Sequence, residues 1–438
     1  MIIPVSQSKY QELFNHYPSL GGGEWFQAAQ KKALKHLIDA GYPNLKNESW
    51  KYTANKLKAV IDHSMNDVAS AANTVDLDSL DIPFIEGCVN LVYVDGVLTH
   101  SAKTDASLFE SGLLKPISEI IASDFEFADS VFAEEDDNAL VNLNTAFLRE
   151  GFCLHLSKNQ SLEKPLHIIY VTTDASKEQC INFRKLFILE ANAHARVMET
   201  YVSVGSEAYS NNHVSNYVIH ADASLQMFRS QDESPNANHL HTGTYHLHKN
   251  SNLNDFFLSV GSQLTRNECR VFFEEEHGNC DFKGVNLTAS KQHMDNYLPF
   301  THKAKNCVSN QVYHAVLDDQ SRSSFFGKVI VPKYASGTDS GQLNKVLLLA
   351  DTAQADSRPE LEIYNDDVKC HHGSAIGEMD KNALYYLMCR GISKSDATAI
   401  LVSAFIESLF EDIELETIHN HLHTTVAKWL ERHVGYEK

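Results

Sequence analysis

The hydrophobic pattern changes period twice along this chain. From Glu24 to Ala40 the apolar residues Phe26, Ala29, Ala33, Leu34, Leu37 and Ile38 recur at helical spacing. Gly21-Gly22-Gly23 precedes the run, and Gly41 follows where a left-handed C-terminal cap would sit. Glu48-Ser49-Trp50-Lys51-Tyr52-Thr53 then leads on to Leu57 and Val60, so residues 1–87 read as an N-terminal helical region. At Cys88 the pattern switches. Val89 to Tyr93 is strand-like, and Asp95-Gly96 before Val97-Leu98 is a type I′ hairpin signal. Asp124 to Asp137 reads as a solvated acidic connection with some helix, which makes 88–152 a mixed α/β connecting region.

From about Cys153 to Val368 the chain is a succession of short β-type runs. Leu166–Val171, Arg184–Leu189, Leu225–Phe228, Phe256–Val260, Arg270–Phe273, Gln311–Val316 and Gly327–Val331 are examples. Asn, Asp, Gly and Ser separate them, as in Ala191-Asn192-Ala193 and Gly278-Asn279-Cys280-Asp281. The span is too long for one sandwich, so stacked strands in a solenoid or β-helix are expected over 153–374, although no strict repeat motif stands out.

Beyond Gly373 the helical period returns, giving a C-terminal helical domain over 375–438. Asp380 can cap a helix with Ala383, Leu384, Leu387 and Met388 on one face, ended by Gly391. Ser393 can cap a second with Ala397, Ile400, Leu401, Ala404 and Phe405 inward. A third runs from about Ile413 to Val434 through Ile418, Leu422, Val426 and Leu430. The fold class is mainly β with helices at both ends.

Charge narrows the function. Lys plus Arg is 37 against 57 Asp plus Glu, a net −20, which argues against nucleic acid and against anionic membrane surfaces as partners. No stretch reaches the roughly 18 uncharged apolar residues of a membrane span. The opening residues lack a basic n-region, so a cytoplasmic location is expected. Eight cysteines without a C-x-x-C pair then read as reduced thiols, mostly buried. No P-loop, dinucleotide fingerprint, nucleophile elbow or H-E-x-x-H is present, so any ATP chemistry would need a partner.

The 23 histidines offer candidate metal chemistry. His239 with His241, and His246 with His248, are H-x-H pairs whose side chains would share a strand face, able to serve one metal or to form a polar outer face. His419, His421 and His423 lie on a helix, where the three do not share a face. The most informative stretch is Leu361-Glu362-Ile363-Tyr364-Asn365-Asp366-Asp367-Val368-Lys369-Cys370-His371-His372-Gly373. Extended chain would put Cys370 and His372 on one side and Lys369 and His371 on the other, with Gly373 allowing a sharp departure. A thiol and an imidazole side by side suit zinc, copper or iron–sulfur chemistry; a buried thiol beside a hydrogen-bonded histidine is the structural alternative. Two ligands leave a four-ligand site incomplete unless the fold or another chain supplies the rest.

Asp366-Asp367-Val368-Lys369-Cys370-His371-His372-Gly373 resembles the SufB/SufD family of iron–sulfur cluster assembly proteins, on its SufD side. Ser357–Ile363, Ala383–Leu387, Arg390-Gly391-Ile392, Ala404-Phe405, Ser324–Lys328, Gln342-Leu343-Asn344, Leu347–Leu349, Trp50–Thr53 and Leu143–Phe147 fit the same family. His371 departs from it, standing where a small residue such as Ser is usual, and the register favours His372. The resemblance implies a right-handed parallel β-helix core flanked by N-terminal and C-terminal helical domains. It implies a non-catalytic scaffold that pairs with a SufB-like subunit and carries a SufC-like ABC ATPase on its helical domain, and it leaves open whether the isolated chain forms homodimers. His372 and Cys370 would then handle a transient iron–sulfur cluster shared with the partner. The family complex also associates with reduced flavin, for which this chain has no fingerprint. Two other readings compete: a stand-alone Cys/His metalloenzyme and a carbohydrate-active β-helix enzyme.

Overall fold

The computed structural model describes residues 7–17, 20, 23–57, 60, 63–65, 80–99, 104–123, 132 and 137–435. Gly21, Gly22 and most of the acidic stretch Asp124–Asp137 lie outside them.

The β core is a parallel solenoid of about eight turns. Each turn contributes one strand to each of two sheets. One sheet runs through Leu114–Pro116, Glu150–Leu156, Gln179–Leu189, Ser210–Ile219, Asn238–Leu247, Leu264–Phe273, His293–His302, Arg322–Val331 and Gln354–Ile363, with Ser64–Met65 beside Gln179–Leu189. The other runs through Val97–Thr99, Val89–Val94, Leu166–Thr173, His194–Val204, Ser224–Asp232, Asn252–Ser259, Asn279–Thr288, Val308–Leu317, Thr338–Leu348 and Val368–Glu378. Short antiparallel strands close the first end of both sheets, and the hairpin turns through Asp95 and Gly96, both at positive φ. At the far end, Gln354–Ile363 and Val368–Glu378 each have a neighbour on one side only among the described residues.

In-register stacking places like side chains above one another inside the solenoid. Phe187, Tyr217 and Tyr245 form a column with centroids 4.7 and 4.1 Å apart and nearly parallel rings. Buried charges are paired: Lys185 Nζ with Glu199 Oε1 at 2.7 Å, and Arg229 Nη2 with Asp255 Oδ1 at 2.5 Å. One corner is built from residues in the left-handed region. Asn159, Asn192, Asp222, Asn250, His277, Asn306 and Gly337 all have positive φ and occupy equivalent places on successive turns. Each donates its backbone N–H to the next turn, as Asn192 does to Ala221 and His277 to Lys305. Asn and Asp tolerate this conformation best after glycine, which is why they separate the strands.

The outer faces are covered by helices. Glu24–Ala40 forms the expected helix, and the Gly41 N–H closes it on Leu37 O at φ 69°. Its Leu34 and Leu37 pack with Tyr42, Trp50, Leu57 and Leu143 over Leu240 and Leu264 of the first sheet. On the second sheet, Val402, Ile406, Phe410, Leu422 and Trp429 pack against Phe256, Leu258, Val285, Leu287 and Val316.

The C-terminal helices span Lys381–Cys389, Lys394–Glu407 and Glu416–Val434. Asp380 and Ser393 cap the first two with their side chains, as the sequence predicts. Ile418, Leu422, Val426 and Leu430 are buried as expected. Two expectations need correction. The first helix has no buried residue: Ala383, Leu384 and Leu387 are half-buried and Met388 is exposed. In the second, Ala397, Ala399, Val402 and Ile406 face inward, while Ile400 and Ala404 are exposed. That helix is apolar nearly all round, so periodicity could not choose its buried side.

Candidate functional site

Cys370, His371 and His372 sit on Val368–Glu378, the last strand of the solenoid. The strand continues through Gly373 to Glu378, so the glycine marks no departure of the chain. Register aligns Cys370 with Ser340, His372 with Gln342 and Ser374 with Asn344. Cys370 packs with Val368 against the solenoid interior. Alternation along the strand then directs His372 to the same side. His371 lies on the opposite side over Gly341, where an added Cβ would come within 2.9 Å of its Nε2.

The layer beneath is polar and ordered. Ser340, Gln342 and Asn344 are buried. Ser309 Oγ is 2.9 Å from Ser340 Oγ, Gln342 Nε2 donates to Gln311 Oε1 at 3.0 Å, and Asn344 Nδ2 donates to Ser357 Oγ at 2.9 Å. Ser374 Oγ donates to the same Ser357 hydroxyl at 2.8 Å. Sequence reading missed this layer, because its members come from separate strands of both sheets and meet only in the fold. The Cys370 thiol is half-buried, and burial followed by the nearby Asp339 carboxylate raises its pKa. His371 and His372 are exposed. Among the described residues, no third His, Cys, Asp or Glu gathers with Cys370 and His372 into a ligand set.

The other histidines separate. His239 and His241 are buried in Asn238–Leu247, not on an outer face. His239 Nδ1 stands 2.7 Å from Glu233 Oε2. Arg229 Nη1 is 2.7 Å from His241 Nδ1, and burial, then the guanidinium charge, hold that imidazole well below its ordinary pKa. A cation at that distance opposes a bound metal. His246 and His248 pair with Glu274 at 2.9 Å and Glu275 at 3.5 Å, respectively. On the last helix, His421 Nε2 approaches Thr200 Oγ1 at 3.3 Å, while His419 and His423 come together on another side beside Glu407.

No helix among the described residues is long and apolar enough to cross a membrane. The family model for the SufBD core domain of the SUF system of FeS cluster assembly matches residues 170–405, and that for the SufBD N-terminal region matches 5–168. The chain is 25% identical over 418 residues to the iron–sulfur cluster assembly protein SufD of Escherichia coli, covering 94% of this chain and 95% of that protein. It is 25% identical over 398 residues to an iron–sulfur cluster assembly SufBD family protein of Synechocystis, covering 88% and 87%. A solenoid with a cysteine and two histidines on its last strand, matched over both halves by these models, belongs to the SufBD family of iron–sulfur cluster assembly proteins.

Proposed function

We propose that this chain is a non-catalytic scaffold subunit that pairs with a SufB-like subunit through the open end of its solenoid. The observation that carries this reading is the pairing of an unfilled sheet edge with an incomplete ligand set. Among the described residues, two strands end the stack with a neighbour on one side only, and such edges accept another strand. Cys370 and His372 lie on one of them and need donors from elsewhere to hold iron. A nascent iron–sulfur cluster is the cargo in this reading, with His372 as a ligand and Cys370 in support. Imidazole suits a cluster that must be handed on, being a more exchangeable ligand than thiolate.

A SufC-like ATPase would dock on the C-terminal helices, where Tyr385, Tyr386, Met388 and Ile400 are exposed apolar side chains on adjoining helices. ATP chemistry then belongs to that partner. Reduced flavin belongs to the assembled complex, and its location is cytoplasmic. In isolation, the same edge would pair with a second copy of this chain.

Co-expression with SufB-like and SufC-like proteins, followed by purification and anaerobic cluster reconstitution, tests the reading. A stoichiometric three-protein complex that assembles a cluster is the expected result. Failure to pair, or equal cluster formation by the isolated chain, would overturn it.

A further inference from the structure

We propose that Glu407, His419 and His423 form a binding site for a divalent first-row transition-metal ion that clamps the last two helices together. This site lies apart from Cys370 and His372 and does not depend on their role.

His419 and His423 are four residues apart on Glu416–Val434, so they lie one above the other on one helix face. Their ring centroids are 4.2 Å apart. Glu407 is the last residue of Lys394–Glu407, and its Oε1 is 3.9 Å from His423 Nε2. One ligand atom from each of the three residues lies within 4.8 Å of the other two, and among the described residues this is the only such group of three or more. In a tetrahedral site with bonds of about 2.0–2.1 Å, ligand atoms stand roughly 3.3 Å apart. Modest side-chain rotation closes the difference, and Glu407, with half its side chain exposed, is free to make it.

The second observation is an orphaned donor–acceptor atom. His423 Nε2 is buried, has no hydrogen-bond partner among the described residues, and is the atom turned towards Glu407. Native structures rarely leave such an atom unpaired, and a bound ion would satisfy it. Phe410 packs against the His423 ring at 4.7 Å and holds its plane.

Two imidazoles and one carboxylate are the donor set of hydrolytic zinc sites and of non-haem ferrous sites. Three protein ligands leave positions for water, so the ion would be exchangeable. The chemistry suits zinc and ferrous iron alike.

The test uses the full untagged chain carrying Cys370→Ser and His372→Ala, so that the other candidate site is silent. Zn²⁺ is titrated against a chromophoric chelator, Fe²⁺ is titrated anaerobically, and Co²⁺ reports coordination through its visible spectrum. One equivalent of metal, a low-symmetry Co²⁺ spectrum and a raised Tm are expected. His419→Ala, His423→Ala and Glu407→Gln should each weaken binding by at least about tenfold. Glu407→Gln changes an exposed side chain and keeps the fold, so its affinity is interpretable even if a histidine variant unfolds. Saturation by Fe²⁺ but not Zn²⁺, or the reverse, names the ion and supports the site. No stoichiometric binding of any of the three ions, or unchanged affinity in Glu407→Gln and the folded histidine variants, would overturn it.

Discussion

The His371 imidazole lies against the bare Cα of Gly341, so close that a methyl group there would reach within 2.9 Å of Nε2. Two adjacent histidines are thereby divided between opposite sides of one strand. We expect His372→Ala to abolish cluster assembly at equal complex yield, and His371→Ala to retain it. Gly341→Ala should displace the flexible ends of His371 and Asn310, whose Oδ1 would also be met at 2.9 Å, at a cost of about 1 kcal/mol or less, and leave assembly intact. In vivo cluster assembly with the variants compared side by side decides this; activity in His372→Ala with failure in His371→Ala would transfer the role.

The exposed face of the first two C-terminal helices gives a second test. Tyr385 is 70% and Tyr386 58% exposed, so replacing either with Glu removes little packing. Both substitutions should abolish co-purification of the ATPase while shifting Tm by no more than about 2 °C. Deleting all three helices is a poorer experiment, since it would uncover Phe256, Leu258 and Val285 on the solenoid. Retained ATPase binding in the double Glu variant would remove this face from the interaction.

Trp50 should prove structural. The Arg266 guanidinium sits 3.9 Å from its ring centroid and is also paired with Glu268 and Asp295. Trp50→Phe should cost about 1–2 kcal/mol through weaker packing and cation–π contact, and leave assembly intact at permissive temperature. Tyr52 is only half-buried, with Arg322 at 5.4 Å from its ring, and Tyr52→Phe should be nearly silent. Denaturant titration gives both values. Loss of assembly in a folded, complex-competent Trp50→Phe chain would contradict the structural role.

Acid should loosen the C-terminal helices. Burial lowers the pKa of His421 to about 4 and that of His314, whose Nδ1 donates to Phe405 O, to about 4. Both are neutral in the fold. Their contribution is complete above pH 6.5, where the unfolded imidazoles are neutral too, and is lost as pH falls from 6.5 towards 4. Each group gives a slope of up to roughly 1.4 kcal/mol per pH unit. Burial also keeps His167, 5.9 Å from His421, well below its ordinary pKa, so protonating His421 would bring charge into that contact. Calorimetry between pH 7.5 and 4.5 should show Tm falling, less steeply in His421→Gln. An unchanged slope in that variant would exclude His421 as a contributor.

The alternation of Cys370 and His372 was legible because a strand has a fixed period of two. The repeat was not. Asn192, Asp222, Asn250, His277, Asn306 and Gly337 do one geometric job with four residue types, spaced 27 to 31 residues apart. A left-handed corner accepts several residues, and a solenoid tolerates turns of unequal length, so neither identity nor period survives in the sequence. The polar layer under His372 and the meeting of Glu407 with His423 were hidden for another reason. Both depend on register between elements that only packing sets. Reading His419, His421 and His423 together also obscured the i, i+4 pair within them.

A stack in which each turn rests mainly on its neighbours melts from its ends. Here one end is locked by antiparallel strands and the other stops at Gln354–Ile363 and Val368–Glu378. Cys370 and His372 therefore ride on a terminal turn, which should open more readily than the middle of the stack. Hydrogen exchange should be faster there in the isolated chain. Any chain that adds a strand to that edge would slow it, so ordering of the two side chains would become part of the binding equilibrium.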